Sequence, residues 1–261
     1  MKLKLIALAA MLAAGSANAA IVDGSTGNGE LFMTVLDQAG QKSYTLDLNL
    51  TMNDFLSGVA VSGASYSYAA DANMTSFLGG VAAGNKSSLV FAIGAMDTVG
   101  ATATDYYRFI TTASVIDVNA TVTNVNLKSL GTNGAQFLGD TNGKIGAGNS
   151  WIETDTAAVA YADSALWGSD WGGKFNGVST GLIGGDMGMY LLSQTSGTTA
   201  ARNNFSVYGA IQQIGSPVFA NLDMNGNLTI AAAPVPEADT YAMMLAGLGL
   251  IGFMAARRTR V

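Results

Sequence analysis

Short apolar runs that alternate with polar residues recur along the middle of the chain, and turn-forming residues separate them. The first two runs span 30–36 and 43–50, and the second places Tyr44 and several leucines at every other position. The loop between them, 37–40, contains aspartate and glycine. Two alternating runs across such a short loop predict a β-hairpin.

The same pattern continues towards the C-terminus. The pair Asn225-Gly226 predicts the tight turn of a second hairpin. Thr51 or Asn53 is placed to cap a short helix that ends by Gly58. Further strands are predicted at 88–96, 106–113, 190–193, 205–211, 219–224 and 228–231.

One long stretch, 118–138, fits two interpretations. Its first half is rich in Val, Thr and Asn, as a strand would be, whereas Leu127, Leu130 and Phe137 suit a short amphipathic helix. We favour the helix. Many short strands, few helices and no βαβ rhythm then predict a mainly β domain over 20–230, arranged as an antiparallel β-sandwich or jelly roll.

The N-terminus has the pattern of a Sec signal peptide. Two lysines precede the apolar run 5–14, and the small-residue motif Ala17-Asn18-Ala19 follows it. We therefore predict that residues 1–19 form a signal-peptide helix that passes through the Sec translocon. Cleavage after Ala19 makes Ala20 the new N-terminus. An uncleaved anchor is the alternative, but the run is about half as long as the roughly twenty residues that a span requires.

The C-terminus has the pattern of a single membrane span, predicted at 241–261. Sixteen nearly uncharged residues, 241–256, would cover about 24 Å as a helix, slightly less than a bilayer core of about 30 Å. The arginines after them predict a cytoplasmic end, and a buried helix of a soluble domain is the alternative. The span is characterised by Tyr241, Leu245, Gly247, Leu248, Gly249, Leu250 and Gly252, and its stop by Arg257, Arg258 and Arg260.

The segment before the span, 231–240, begins with small residues and prolines, which predicts an extended, protease-accessible linker. From this segment to the end of the chain, the order is Val-Pro-Glu, small polar residues, a Leu/Gly-rich span and terminal arginines. This order resembles the PEP-CTERM sorting signal of Gram-negative bacteria. The family's third motif residue is proline, and Ala238 stands there in this chain. The matching residues are Val235, Pro236, Glu237, Thr240, Tyr241, Ala242, Leu245, Ala246, Gly247, Leu248, Gly249, Leu250, Gly252, Arg257 and Arg258.

The resemblance implies a processing partner and a destination. In that family an exosortase of the inner membrane is thought to read the signal, in bacteria that make exopolysaccharide. It implies a protein held transiently in the inner membrane and then placed on the cell surface or in the extracellular matrix. The association with exopolysaccharide, biofilm or floc is likewise implied by the family alone.

Charge and composition exclude several functions for the segment between the two signals. It has seven basic residues against sixteen acidic ones, a net charge of −9, so nucleic acid is not an expected partner. The chain contains no His and no Cys. A Ser-His-Asp triad, a cysteine nucleophile and an ordinary zinc or copper site are therefore excluded, and we predict no cofactor.

Three groups of residues remain as candidates for chemistry or binding. Glu153 and Asp155 would share one face of a strand, as the carboxylates of a glycoside hydrolase would require, although a solvated strand face is the plainer interpretation. Trp167 and Trp171, with Asp170 between them, suit stacking on sugar rings, but core packing explains them as well. Asp140-Thr-Asn142-Gly143 and Asp223-Met-Asn225-Gly226 resemble calcium loops but lack the later glutamate, and hairpin turns explain them equally.

Together these patterns predict an exported, non-enzymatic surface or matrix protein that is sorted by its C-terminal signal. The alternative is a carboxylate-dependent, carbohydrate-active hydrolase. A concave cleft lined by Glu153 and Asp155 would favour that alternative.

Overall fold

A computed structural model describes residues 20–59, 64–99, 107–113, 124–164, 179–194, 207–210, 212–213, 216–233 and Leu248. Strands dominate these residues, which confirms the prediction of a mainly β fold with few helices. The strands are β1 Glu30–Asp37, β2 Lys42–Thr51, β3 Tyr66–Tyr68, β4 Val90–Asp97, β5 Arg108–Ala113, β6 Ser150–Glu153, β7 Gly181–Leu182, β8 Asp186–Ser193, β9 Val207–Ala210, β10 Gln212–Gln213, β11 Ser216–Leu222 and β12 Leu228–Ala232. The helices are α1 Met52–Ser57, α2 Ala72–Gly79 and α3 Asn124–Ile145, with a 3-10 helix at Ala83–Ser88.

The strands belong to one antiparallel sheet, in the order β3-β12-β11-β8-β5-β4-β1-β2-β6. Three short strands pair beside this path: β7 with β4, β9 with β8, and β10 with β11. The sandwich or jelly roll predicted from the sequence calls for two facing sheets. The described strands instead form one continuous sheet, so the antiparallel arrangement is confirmed and the layering differs.

The sheet is strongly curled, and its two ends meet. The Tyr68 hydroxyl of β3 donates a hydrogen bond of 3.0 Å to the Leu48 carbonyl of β2, although these strands stand at opposite ends of the order. Helix α2 covers the seam: Asn73 donates to the backbone and side chain of Ser150 on β6, and Ser150 donates to Asp71. A curled sheet therefore encloses on its inner face the core that a sandwich would place between two sheets.

Both faces of the sheet are buried, which explains the long apolar runs in β1 and β4. Leu31, Met33 and Val35 point to the inner face, whereas Phe32 points to the outer face and contacts Phe137 of α3 with ring centroids 6.0 Å apart. Each fully buried side chain of this size contributes roughly 1.5–3 kcal/mol. The inner core includes Leu31, Met33, Val35, Tyr44, Leu46, Phe55, Phe77, Phe91, Ile93, Ile110, Met189 and Ile230.

The first hairpin and the helix after it follow the local sequence closely. β1 and β2 pair antiparallel from Phe32 opposite Asp47 to Asp37 opposite Lys42, which confirms the predicted hairpin. Thr51 is the N-cap of α1, and its hydroxyl accepts a hydrogen bond of 3.2 Å from the Asp54 N–H. This satisfies a backbone donor that the first helical turn would otherwise leave unpaired.

The ambiguous stretch forms α3, so the favoured helix is confirmed, and it begins later and ends later than predicted. The helix contains several glycines, each of which disfavours a helix by about 1 kcal/mol relative to alanine. Packing outweighs this cost, since Leu127, Leu130, Phe137 and Leu138 are buried against the outer face of the sheet.

The last strand extends further than the sequence predicted. Ala231 and Ala232 pair with Phe219 and Val218 of β11, and the Ala233 N–H donates to the Pro217 carbonyl at 2.9 Å. The sheet therefore includes the alanines that were assigned to the linker. Ala233 is the last described residue before the segment 234–247.

Among the described residues, no helix has both the length and the apolar character needed to cross a bilayer. The predicted signal peptide, 1–19, lies outside these residues, as does the predicted span apart from Leu248. Leu248 is helical and exposed.

Candidate functional site

Glu153 is the only member of the proposed carboxylate pair that lies in a strand, at the end of β6 opposite Ser43 of β2. It is buried, and its carboxylate is fully engaged. It forms an ion pair with Lys144 near the end of α3 and accepts a hydrogen bond of 3.3 Å from Trp151 Nε1. The backbone N–H groups of Thr154 and Asp155 also donate to it, at 3.0 and 2.9 Å.

These partners determine the protonation of the pair. Burial works to raise the pKa of Glu153, but the hydrogen bonds from Lys144, the Asp155 N–H and Trp151 outweigh it, and the pKa lies below its usual range. Burial works to lower the pKa of Lys144, but Glu153 and Asp140 raise it overall. A glycosidase general acid needs a raised pKa, so Glu153 is in the wrong state for that role.

Asp155 follows the strand rather than lying in it. It is exposed, and its Oδ1 accepts a hydrogen bond of 2.9 Å from the Ala157 N–H in the next turn. The prediction that Glu153 and Asp155 share a strand face is therefore wrong, because β6 ends at Glu153. The hydrolase alternative loses the residue pair on which it was based.

The two calcium-like segments form different structures. Asp140 and Asn142 lie inside α3, where Asp140 accepts from the Ala160 N–H and Asn142 exchanges two hydrogen bonds with the backbone of Ile21. Asp223 instead closes the β11–β12 turn by accepting from the N–H groups of Asn225 and Asn227. The turn interpretation is confirmed for the second segment and wrong for the first.

The described residues contain no group of three or more His, Cys, Asp or Glu side chains that would hold a metal. In the second calcium-like segment, the carboxylate of Asp223 is engaged by its own turn. Burial works to raise the pKa of its carboxylate, but four hydrogen bonds from Asn227 and Asn225 lower it overall. The oxygens that a cation would need are occupied by the amides of the turn.

A buried carboxylate that the sequence analysis missed is Asp47 of β2, 2% exposed. Its Oδ1 accepts from the Asn49 N–H at 2.8 Å, whereas its Oδ2 has no hydrogen-bond partner. Burial, and to a lesser extent the Glu30 carboxylate, raise the pKa of Asp47 to about 6 against the lowering effect of the Asn49 bond. The alternation in β2 placed Asp47 opposite the core side, but it pairs with Phe32, whose ring contacts Phe137 of α3, and its N–H donates to the Asn149 carbonyl at 2.8 Å.

A second missed group closes the seam of the sheet. Tyr44 is buried, and burial, with a further contribution from Asp71, raises the pKa of its phenol well above its usual range. Asp71 is the N-cap of α2 and accepts from the Met74 N–H at 2.6 Å and from Ser150 Oγ at 2.6 Å. These partners hold α2 over β6, and the role of the group is structural.

Several predicted site residues lie outside the described residues. These are the candidate sugar contacts Trp167, Asp170 and Trp171, the motif residues from Val235 to Thr240, and the arginines Arg257, Arg258 and Arg260. Ala20 is described and exposed, which is compatible with the predicted new N-terminus. Directly after it, Ile21 is buried and held by Asn142.

The described domain and the segment that follows it define a class of protein, since a mainly β domain is joined directly to a C-terminal sorting signal. Residues 234–258 match the PEP-CTERM protein-sorting motif. The chain therefore carries a PEP-CTERM sorting signal, which implies processing by exosortase, export and a surface or extracellular location. No curated protein and no solved structure matches the chain.

Proposed function

We propose that the protein is a non-enzymatic component of the bacterial surface or extracellular matrix that associates with exopolysaccharide. In this proposal the Sec translocon exports the chain, signal peptidase leaves Ala20 as the first residue, and the span at 241–261 holds the chain in the inner membrane until exosortase acts. The observation that carries the proposal is the sorting motif at 234–258.

The β domain supports a structural role through the state of its acidic side chains. Glu153 and Asp97 are held in ion pairs with Lys144 and Arg108, and Asp71 caps a helix. Asp47 is buried and accepts a hydrogen bond from the Asn49 N–H. The carboxylates of Glu153, Asp97 and Asp71 are held by fixed partners, and this arrangement supports a scaffold rather than a reaction centre.

The sorting part of the proposal is tested by removing the signal. The full chain and a chain that ends at Ala233 are expressed in cells with and without exosortase, and the intact mass and location of each are measured. We expect the full chain to lose its C-terminal segment only where exosortase is present. The proposal would be refuted if the full chain had the same mass and the same location with and without exosortase.

The exopolysaccharide part has its own test, which uses the Trp-rich segment. We expect the secreted domain to bind exopolysaccharide from the producing strain, and Trp171→Ala to weaken this binding by about 1 kcal/mol or more. Trp151→Ala serves as the control, because Trp151 packs at the seam and donates to Glu153. Unchanged binding by a folded Trp171→Ala variant would remove that segment as the contact.

A further inference from the structure

The end of the domain at which β12 finishes lies very close to the sorting motif. The last hydrogen bond of the sheet joins the Ala233 N–H to the Pro217 carbonyl. Only Pro234, Val235 and Pro236 separate Ala233 from Glu237 of the motif, so even fully extended chain places Glu237 within about 14 Å of the sheet.

The connection to the predicted span is also short compared with the domain. Residues 234–240 reach at most about 25 Å. A folded domain of roughly 210 residues has a radius of gyration of about 17 Å and is therefore about 40 Å across. The surface of the domain from which the chain leaves therefore lies within about 25 Å of the start of the predicted span, and nearer still to the motif.

The topology identifies which end of the domain lies nearest to the sorting motif. β2 and β12 run in the same direction because an even number of antiparallel steps separates them in the sheet order. Helix α1 follows β2 directly, and Tyr66, which pairs with Ile230 of β12, contacts Phe55 of α1 with ring centroids 5.7 Å apart. Helix α1 therefore lies at the end where the chain leaves the sheet.

We define the exit face as the surface formed by Glu30, Asn53, Asp54, Ser57 and Pro217. Asn53, Asp54, Ser57 and Pro217 are exposed, and Glu30 is half-buried. Glu30 and Asp54 are acidic, and the neighbouring Arg108, which donates to Asn53 at 3.3 Å, is paired with Asp97, so these groups together have a net negative charge. Anionic headgroups would repel such a surface, whereas a protein surface with hydrogen-bond donors would accept it.

Resting on the sorting role proposed above, we infer that the exit face contacts the periplasmic surface of the exosortase while the motif is bound, and that the short tether makes this contact obligatory. Ala231 and Ala232 pair in the sheet and the Ala233 N–H bonds Pro217, so the motif starts from a fixed point of the domain and Glu237 lies within about 14 Å of that point. Processing should then depend on the surface of the folded domain as well as on the motif.

The test separates tether length from motif recognition. About twelve Gly and Ser residues inserted between Ala233 and Pro234 add roughly 19 Å of reach. In the full chain, Ser57→Trp places bulk on the exit face, and Gln38→Trp places the same bulk on the exposed β1–β2 turn at the opposite end. The rate of conversion of full-length to processed protein is followed by pulse-chase and intact mass.

We expect Ser57→Trp to slow processing at least about threefold with the native tether and to have no effect once the insertion is present, because a longer tether removes the constraint on presentation. Gln38→Trp should leave the rate unchanged in both backgrounds. If thermal unfolding shows that Ser57→Trp does not fold, Ser57→Arg provides a second bulky substitution at the same position.

Two outcomes of this experiment would refute different parts of the proposal. Equal processing of Ser57→Trp, Ser57→Arg and the parent with the native tether would overturn the contact while leaving the sorting role intact. No processing of any chain, with or without the insertion, in cells that contain exosortase would overturn the sorting role itself.

Discussion

The C-terminal segment depends on residues that are neighbours in the sequence, whereas the β domain depends on contacts between residues that are distant in the sequence. The sorting motif at 234–258 is contiguous, so its residues identify it without reference to the fold. In the β domain, the contacts that matter join residues far apart in the chain, such as Tyr68 with Leu48 and Asn142 with Ile21. The sorting motif can therefore be recognised in a short stretch of sequence and transferred to another chain. The structure of the β domain can be neither recognised nor transferred in this way. Substitutions in the motif should leave the stability of the domain unchanged, and substitutions in the domain away from the exit face should leave the motif recognisable.

The strongest test of this separation is to remove the motif while keeping its length. Pro236→Ala combined with Glu237→Ala should abolish exosortase-dependent processing, because both residues belong to the matched motif. The thermal midpoint of the exported domain should stay the same, since the sheet ends before both positions. A processed product of normal mass from the double variant would contradict the expectation.

The converse test breaks the domain and spares the motif. Phe77 is buried in α2 beside Tyr44, with ring centroids 6.1 Å apart. Phe77→Ala should destabilise the domain by about 3–5 kcal/mol, since the cavity adds to the lost burial. Urea unfolding measures this, with Leu182→Ala as the control because Leu182 is 55% exposed. A loss below about 1 kcal/mol for Phe77→Ala would show that the inner core is not packed as described.

A smaller effect is expected at the paired carboxylate. Glu153→Gln should cost about 1–3 kcal/mol at pH 7 by removing the charge that Lys144 faces. The folded pKa of Glu153 is lowered, so its contribution is present above the unfolded pKa and is lost as pH falls through the folded value. The difference between variant and parent should therefore disappear in strong acid. Asp155→Asn is the matched control, since Asp155 is exposed.

The unpaired carboxylate should respond with the opposite sign. The folded pKa of Asp47 is raised to about 6, so folding is penalised as pH rises from the unfolded pKa through that value. Asp47→Asn should stabilise the domain by up to about 2 kcal/mol at pH 8 and have little effect at pH 4. Thermal unfolding across this range, with exposed Asp186→Asn beside it, measures the difference. Equal stability of parent and Asp47→Asn at pH 8 would contradict the prediction.

The smallest expected change lies in the motif itself. Ala238 stands where the sorting family has proline, so Ala238→Pro should speed processing by about two- to tenfold, equivalent to at most about 1.4 kcal/mol. Stability of the domain should not change. The processed fraction at early times in a pulse-chase is the measurement, and Ala233→Ser, which leaves the motif intact, is the control. An unchanged rate would show that exosortase does not use this position, and a slower rate would show that proline is not preferred there.

Local signals predicted the parts of the fold that depend on neighbours in sequence. Thr51 caps α1 as expected, and Asn225-Gly226 turns between β11 and β12. Helix α2 was missed because its N-cap, Asp71, stands before a short helix whose burial depends on Tyr44 and Ser150, both distant in the chain. Local chemistry was sufficient only where local contacts decide the structure.

The errors at the candidate site have the same origin. Asp140 and Asn142 have the spacing of ligands in a loop, but packing of α3 on the sheet keeps them helical, and Asn142 binds Ile21 instead. Glu153 and Asp155 alternate as strand residues would, but the strand stops between them. Asp47 lies on the polar side of an alternating strand, and it is buried because that side pairs with Phe32 of β1, which packs against Phe137 of α3. Each outcome depends on an element far away in sequence.

The pairing of β3 with β12 has a consequence for the order of events in secretion. The Ala70 N–H donates to the Asn227 side chain, 157 residues further along the chain. Strand β3, Tyr66–Tyr68, joins the sheet by pairing with β12. Contacts of such high contact order form late and slowly. The sheet can therefore be complete only once β12, the last described strand before the sorting motif, is available to pair with β3. If the chain is exported and held as proposed above, the domain closes during the same interval in which the sorting signal reaches the membrane.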